Sequence, residues 1–253
     1  MLIGGLEKFS LIDYPEHLSA IVFTKGCNFR CHFCYNPMLV WPESQDGLNQ
    51  ISSIQKEETK GRSLESAFNR QIQENDFFSF LENRIDKLDA VVITGGEPTI
   101  HSDLPDFIKK IKNLGFKVKL DTNGSNPKML KDLIDNELIN YIAMDIKGDI
   151  EQYDVVIGSQ TDLNAIKESI VLIKKSGLPY EFRSTLVPGL HDEQTIKKMG
   201  NMISGAKKWY LQNFISDTFL VNENFKNSTV FKEEDLEKFK NIGNQYVDMC
   251  DIR

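Results

Sequence analysis

The chain alternates between short apolar runs and longer segments in which apolar residues recur at the spacing of an amphipathic helix. Several apolar runs are almost continuous, as expected for parallel strands that are covered on both faces. Strands are predicted at residues 18–24, 89–94, 116–121, 141–145, 180–187 and 209–214. Because a strand–helix–strand unit joins parallel strands through a right-handed crossover, this alternation restricts the chain to an α/β fold.

Helices are predicted between and after these strands, and their ends carry residue types that favour helix termini. The predicted ranges are 62–88 with a break near Asn75, 104–114, 127–136, 162–176, 192–204 and 232–247. Caps are expected at Asp103, Asn126, Asp162 and Asp192, and helix-ending glycines at Gly115, Gly177 and Gly205. Six βα units are fewer than the eight of a complete barrel. The predicted fold is therefore α/β, a partial (β/α)6 barrel, with a doubly wound sheet as the alternative.

A length of 253 residues fits one substantial domain or two small ones, and 40% hydrophobic with 26% charged residues is typical of a globular protein. Because a single α/β barrel can occupy this length, we expect one domain over residues 1–253. A polar, weakly patterned stretch at residues 41–61 is expected to be a surface excursion. The net charge of −7 argues against a nucleic-acid partner held mainly by phosphate contacts. The amino-terminal residues lack the features of a signal peptide, and no apolar run is long enough to span a bilayer. We therefore expect a cytoplasmic location and no membrane association.

Three of the four cysteines lie together, directly after the first predicted strand. Cys27, Cys31 and Cys34 have the spacing Cys-x3-Cys-x2-Cys within a loop at residues 25–36, whereas Cys250 stands alone. Such a cluster in a reducing compartment is typical of metal binding rather than of disulfides. Cysteine thiolates are the usual ligands of iron–sulfur clusters, and three of them would leave one iron of a cubane open to a small molecule.

Two other interpretations of the cysteines remain open. One is a zinc site, for which His32, His101 or Cys250 would have to supply the fourth ligand. The other is a set of three buried, inert thiols, because cysteine is often buried. The spacing favours the iron–sulfur cluster, with Cys250 in no catalytic role.

Glycine-rich and polar signals follow the later strands in the same way. They are Gly95-Gly96-Glu97-Pro98, Asp121-Thr122-Asn123-Gly124, Asp145-Ile146-Lys147 and Pro188-Gly189. Taken singly, each is explained by a turn or a cap, and Arg183 on the fifth strand by a pair with Glu181 or by solvent. Since βα barrels build their active sites at the carboxyl ends of their strands, we expect these residues to share one rim with the cysteines.

The cysteine motif, with Phe33 before its last cysteine, resembles that of the radical S-adenosylmethionine (SAM) superfamily, and the later motifs occur in the expected order. The resemblance implies a [4Fe-4S] cluster on Cys27, Cys31 and Cys34, whose open iron chelates the amino and carboxylate groups of SAM. It also implies that Gly95, Gly96 and Glu97 bind the SAM amino group and that Phe33 lies at the cofactor. Reductive cleavage of SAM would then give a 5′-deoxyadenosyl radical.

A narrower resemblance links the chain to the activating enzymes of glycyl radical enzymes. It implies that Asp121 and Asp145 help to hold a monovalent cation beside the SAM carboxylate, for which oxygen ligands are suitable. It assigns Thr122, Asn123 and Arg183 to the SAM pocket, and Lys147 to SAM or to the incoming glycyl loop.

The amino-terminal region resembles anaerobic ribonucleotide reductase activating proteins, chiefly through SLIDYP at residues 10–15 and through Asn36-Pro37. Two positions depart from that pattern: Glu16, where glycine is common, and Tyr35, where histidine is common. The resemblance implies a glycyl radical partner, an anaerobic ribonucleotide reductase, and an electron donor of the flavodoxin or ferredoxin type. The alternatives are a radical SAM enzyme that acts on a small molecule or a peptide, and a metal-binding module without catalysis.

Overall fold

The computed structural model describes residues 1–41 and 71–253, and within those ranges the strands form one sheet in the order β1 to β8. The strands are β1 Ile3–Ser10, β2 Ser19–Thr24, β3 Ala90–Gly95, β4 Lys117–Thr122, β5 Tyr141–Asp145, β6 Tyr180–Leu186, β7 Lys208–Asn213 and β8 Met249–Ile252. All of the strand pairs with a described register are parallel except β1 with β2, which is antiparallel.

The six predicted strands are confirmed as β2 to β7, with ends that move by one residue at most, so the α/β class and the six βα units hold. The outer strands β1 and β8 were missed. Strand β1 contains two glycines and three exposed positions, and β8 has four residues, so neither has the apolar run that identifies a strand covered on both faces.

The α-helices among the described residues are α1 Pro37–Val40, α2 Glu74–Glu82, α3 Leu104–Asn113, α4 Pro127–Asp135, α5 Tyr153–Ile157, α6 Leu163–Lys175, α7 Glu193–Met202 and α8 Glu233–Gly243. The predictions for α3, α4, α6, α7 and α8 are confirmed, although α8 ends four residues before its predicted end. The short helices α1 and α5 were missed, because one turn is too short to show a periodicity.

Where it can be compared, the predicted helix at residues 62–88 is confirmed over α2 and wrong on either side of it. Its residues 62–70 lie outside the described residues, and so does nearly all of the predicted excursion at 41–61. Ile72 is extended, and its backbone N–H donates to the carbonyl of Ile3 at 3.0 Å. Asn75, the predicted break, lies inside α2. At Ile72, pairing with Ile3 of β1 therefore takes the place of the predicted helix.

The helix caps follow the predictions with one exception. The side chains of Asn126, Asp162 and Asp192 accept hydrogen bonds from the backbone N–H groups of the first turns of α4, α6 and α7. Asp103 occupies the N-cap position of α3, but among the described residues its carboxylate binds the amino group of Met1 instead of a helix N–H. The glycines at 115, 177 and 205 all have a positive φ, which favours glycine where a helix ends.

The chain divides into two compact units. The first unit consists of Met1–Asn28 and Asn36–Leu120, and the second of Phe29–Tyr35 and Asp121–Arg253. In the first unit, α3 buries four apolar side chains, and Phe107 among them stacks on Phe77 of α2 with 5.3 Å between ring centroids. Each such side chain stabilises the fold by about 1.5–3 kcal/mol. Whether the whole chain is a single domain stays a prediction.

The second unit contains the parallel strands β5 to β8 and is built around a completely buried tryptophan. Trp209 of β7 donates from its indole Nε1 to the hydroxyl of Ser184 on β6, at 2.9 Å. That hydroxyl in turn donates to the carbonyl of Ile146, directly after β5, at 2.8 Å. The core is thereby connected to the segment that follows β5. None of the helices in the described ranges is long and apolar enough to cross a membrane.

Candidate active site

The cysteine segment of the second unit is held from one side by the end of α5. The backbone N–H of Arg30 donates to the carbonyl of Ile157 at 2.8 Å. Gly158 follows with a φ of +60°, and a Cβ there would lie 2.4 Å from the carbonyl oxygen of Arg30. Only glycine allows this close approach of two backbones. Downstream, the N–H of Cys34 donates to the carbonyl of Cys31 at 3.0 Å, which closes a tight turn between these two thiols.

The segment after β7 holds the same cysteines from another direction. The N–H groups of Val221 and Asn222 donate to the carbonyls of Cys34 and His32 at 2.9 and 3.0 Å. The imidazole of His32 stacks on Phe225 with 5.8 Å between ring centroids and 12° between planes. The backbone that carries Cys31 and Cys34 is thus fixed before any cofactor arrives.

The first unit contains Cys27 together with the Gly95-Gly96-Glu97 turn. The N–H of Glu97 donates to the carbonyl of Gly26 at 2.8 Å. A Cβ on Gly96 would lie 2.0 Å from that same carbonyl oxygen, and one on Gly95 would lie 2.3 Å from the backbone nitrogen of Thr24. Both glycines are required by the close packing of this turn against the start of the cysteine loop.

Glu97 itself is 1% exposed and fixed in orientation. Its Oε1 accepts hydrogen bonds from the backbone N–H and the hydroxyl of Thr99, at 3.1 and 2.5 Å, which caps the short 3₁₀ helix Pro98–Ile100. A buried carboxylate held in this way is a preorganised acceptor for an ammonium group.

Four predicted side chains of the second unit come together in one charged cluster. Arg183 donates from Nη1 to Oδ2 of Asp121 and from Nε to Oδ1 of Asp145, both at 3.0 Å. Lys147 donates to Oδ2 of Asp145, also at 3.0 Å. The four side chains are between 11% and 25% exposed. The alternative pairing of Arg183 with Glu181 is wrong, because that carboxylate binds Arg253 and Tyr141.

These contacts determine the protonation states in the cluster. Burial raises the pKa of Asp145, but the charges of Arg183 and Lys147 outweigh burial and lower it to about 2. Burial lowers the pKa of Lys147, but the negative charge of Asp145, with contributions from Cys31 and Cys34, outweighs burial and raises the pKa overall. The pKa of Arg183 is raised because Asp121 and Asp145 outweigh its burial. Asp145, Lys147 and Arg183 are therefore all charged at neutral pH.

The backbone of Ile146 and Lys147 is also fixed, by residues that the sequence did not single out. The N–H of Ile146 donates to the carbonyl of Arg183 at 2.8 Å, and its carbonyl accepts from Ser184. The N–H of Lys147 lies 3.5 Å from the hydroxyl of Tyr153, and its carbonyl lies 2.9 Å from Nε2 of His191. His191 follows the Pro188-Gly189 turn by two residues, and this position was the only feature of the sequence that could have indicated a role for it at the site.

The predicted residues around Asp121 have local roles. The Oγ1 of Thr122 accepts from the N–H of Gly124 at 3.1 Å, and the Oδ1 of Asn123 accepts from the N–H of Ser125 at 2.9 Å. Both therefore form the turn after β4. Phe33 is buried, at 3% exposure.

Comparison with known proteins adds the identity of the family. The family model described as "Radical SAM superfamily" matches residues 21–199. The chain belongs to the radical SAM superfamily. A protein of Methanocaldococcus jannaschii that is assigned as a glycyl-radical enzyme activating enzyme is 32% identical, over 100% of this chain and 95% of its own length. On the similarity to this relative, the chain is an enzyme of the class of glycyl-radical enzyme activating enzymes.

More distant relatives agree. The pyruvate formate-lyase-activating enzyme of Streptococcus mutans is 25% identical, over 81% of this chain and 73% of its own length. The crystal structure of a domain of such an enzyme from Bacteroides vulgatus matches with a TM-score of 0.52 and 20% identity, over 65% of this chain and 99% of that domain. The structural match shows that the fold is the partial (β/α)6 barrel of radical SAM enzymes and not a doubly wound sheet.

Radical SAM enzymes use a [4Fe-4S] cluster and SAM, and the donor set of this chain suits both. Among the described residues no cysteine forms a disulfide, so the thiols of the motif are available in the reduced state that a cluster requires. Within the same residues no three His, Cys, Asp or Glu side chains converge on a point that a single ion would occupy. The three thiolates would bind three different irons of a cubane, so they need not converge on one point.

Proposed function

We propose that this enzyme generates a glycyl radical on a partner protein, and that the partner is an anaerobic ribonucleoside-triphosphate reductase. The observation that carries the site is the charged cluster of Asp121, Asp145, Lys147 and Arg183, in which Lys147 also lies close enough to Cys31 and Cys34 for them to raise its pKa. SAM carries an ammonium, a carboxylate and a sulfonium, so a group of fixed charges beside the cysteine motif offers it complementary partners.

In this proposal Cys27, Cys31 and Cys34 hold the [4Fe-4S] cluster, and the charged side chains bind and orient SAM. Glu97 accepts from the SAM ammonium, and Lys147 and Arg183 bind its carboxylate. The cluster and SAM, when bound, supply the one-electron cleavage that produces a radical able to remove a hydrogen atom from a glycine. The protein supplies the orientation of SAM and the exclusion of water.

The monovalent cation expected at Asp121 and Asp145 would meet carboxylates that already bind Arg183 and Lys147. Both oxygens of Asp145 already accept hydrogen bonds, one from Arg183 and one from Lys147. Each oxygen keeps a second lone pair, so a cation coordinated by Asp145 would share the carboxylate with these two side chains and would be repelled by their charge. Removal of Na⁺ and K⁺ from the buffer tests this step, because a required cation makes the affinity for SAM depend on the salt chosen.

The identity of the partner rests on the resemblance of the amino-terminal region, SLIDYP and Asn36-Pro37, to activating proteins of anaerobic ribonucleotide reductase. An electron donor of the flavodoxin or ferredoxin type and a cytoplasmic location belong to the same proposal. The test is anaerobic incubation of the reconstituted enzyme with SAM, a reductant and the candidate reductase, followed by electron paramagnetic resonance. We expect the signal of a glycyl radical on the reductase, and none when either protein is omitted.

Cys250→Ala is the matched control for Cys31→Ala, because Cys31 is proposed as a ligand and Cys250 is not. We expect Cys31→Ala to abolish SAM cleavage and Cys250→Ala to retain it, with both variants folded by circular dichroism. Full SAM cleavage by Cys31→Ala would overturn the ligand assignment. Repeated SAM turnover with a small molecule or a peptide, and no radical on any glycyl radical enzyme, would support the alternative class of substrate instead.

A further inference from the structure

His191 connects two loops of the candidate site through both of its ring nitrogens. The side chain is 3% exposed. Its Nδ1 lies 3.0 Å from the backbone nitrogen of Val187, and its Nε2 lies 2.9 Å from the carbonyl oxygen of Lys147. The Val187 N–H can only donate and the Lys147 carbonyl can only accept. The ring must therefore be neutral, with its proton on Nε2.

The two residues joined by this ring lie just after β6 and β5, close in sequence to the two cationic side chains of the charged cluster. Val187 comes directly after β6, which carries Arg183, and Lys147 comes two residues after the end of β5. Arg183 and Lys147 both donate to the carboxylate of Asp145. A ring that fixes the separation of the two loops therefore influences where the two cations meet that carboxylate.

We propose that His191 is a positioning residue for SAM binding, acting through the backbone of Lys147. Rotation of this backbone would move the Lys147 ammonium away from the place where the SAM carboxylate is expected. The proposal rests on the proposed function in one respect, namely that Lys147 binds SAM. The neutral Nε2–H tautomer and the two hydrogen bonds are properties of the chain alone.

Two substitutions separate the two hydrogen bonds of the ring. In His191→Asn, the side-chain oxygen takes the place of Nδ1 and can accept from Val187, but it cannot reach Lys147. In His191→Gln, the side-chain amide nitrogen takes the place of Nε2 and can donate to the carbonyl of Lys147. Ile203→Val is the matched control, because it removes a methyl group from a buried residue directly after α7, in the same unit, without changing either bond.

The first measurement needs neither cluster nor partner. Ring ¹⁵N chemical shifts of the wild-type protein are expected to show His191 as the Nε2–H tautomer. Hydrogen exchange at the Val187 amide is expected to be slow in the wild type and in His191→Asn, and faster in His191→Gln. A charged ring, or the Nδ1–H tautomer, would overturn the proposal at this stage.

The second measurement is the affinity for SAM, obtained from the change that SAM causes in the spectrum of the reduced cluster. We expect His191→Asn to bind SAM about tenfold more weakly, the effect of one lost hydrogen bond. Affinity in His191→Gln and Ile203→Val should stay within about twofold of wild type, a difference smaller than one hydrogen bond produces. Wild-type affinity in His191→Asn, or a loss in Ile203→Val as large as that in His191→Asn, would overturn the positioning role.

The two levels of failure are distinguishable. If the wild type itself binds no SAM, the proposed function fails, while the tautomer and exchange results still describe the two hydrogen bonds of His191. If the wild type binds SAM and His191→Asn binds it equally well, only the role of His191 fails.

Discussion

At the scale of single residues, the site depends on charges that are held in place by other charges. Asp145 accepts from Arg183 and Lys147 with its two oxygens, and Arg183 also binds Asp121. Removal of one member of a buried group of this kind leaves an uncompensated charge, which is strongly destabilising. The arrangement therefore makes the stability of the site sensitive to the ionisation of Asp145.

The lowered pKa of Asp145 leads to a prediction about acid stability. A carboxyl whose pKa is about 2 in the folded protein and 3.8 in the unfolded chain contributes stability above pH 3.8, and this contribution is lost as the pH falls through 2. Between pH 5 and pH 3 the wild type should lose about 1 kcal/mol through this group. Urea unfolding of wild type and Asp145→Asn at both values measures this loss as a smaller difference between the two proteins at pH 3. A difference that stays constant would contradict the assignment.

At the scale of elements, the cysteine segment depends on backbone contacts with α5 and with the segment after β7. The carbonyls of His32 and Cys34 accept from Asn222 and Val221, and the N–H of Arg30 donates to Ile157. Because these hydrogen bonds join backbone groups, no pattern of side chains in the sequence predicts them. The close approach of Gly158 to Arg30 is the point where this packing is tightest.

Gly158→Ala and Gly177→Ala form a matched pair that tests this packing. Both glycines have a positive φ, so alanine is strained by about 1 kcal/mol at either position. At Gly158 the new Cβ would also lie 2.4 Å from the carbonyl oxygen of Arg30, whereas no described atom lies within 4 Å of it at Gly177. We expect Gly158→Ala to lose more free energy of unfolding and to incorporate less iron on reconstitution. Equal iron content in the two variants would show that this contact does not shape the cysteine segment.

At the scale of the whole chain, the second unit is stabilised by a contact between residues 72 positions apart. Glu181, which is completely buried, accepts from both terminal nitrogens of Arg253 at 2.9 and 3.2 Å and from the hydroxyl of Tyr141 at 2.9 Å. The guanidinium of Arg253 also lies over the ring of Tyr210, at 3.8 Å from its centroid. The missed strand β8 brings Arg253 to this position.

Arg253→Ala is predicted to leave the Glu181 carboxylate buried without its cation. We expect a loss of about 3 kcal/mol in the free energy of unfolding, at the low end for a broken buried pair because the arginine is partly exposed. The double variant Glu181→Gln with Arg253→Ala should recover part of this loss, since no buried charge remains. Chemical unfolding of the two variants measures the difference, and a double variant less stable than Arg253→Ala would contradict this account.

The sequence by itself determined the elements and the chemistry that depend on neighbouring residues. The strands β2 to β7 were predictable because strands covered on both faces need continuous apolar runs, and the caps at Asn126, Asp162 and Asp192 because capping is local. The cysteine motif was likewise visible, because its three thiols lie within eight residues. Its role as cluster ligand stays a prediction for the experiments above.

Only the tertiary structure decided which distant groups meet. Arg183 binds Asp121 and Asp145, which lie 62 and 38 residues away, and not the nearby Glu181. Strand register produces this choice, since Asp145 and Arg183 stand opposite each other on β5 and β6. The tautomer of His191 and the edge strands β1 and β8 were decided in the same way. These features depend on which backbone groups a fold brings within hydrogen-bonding distance, and residue patterns within one segment do not contain that information.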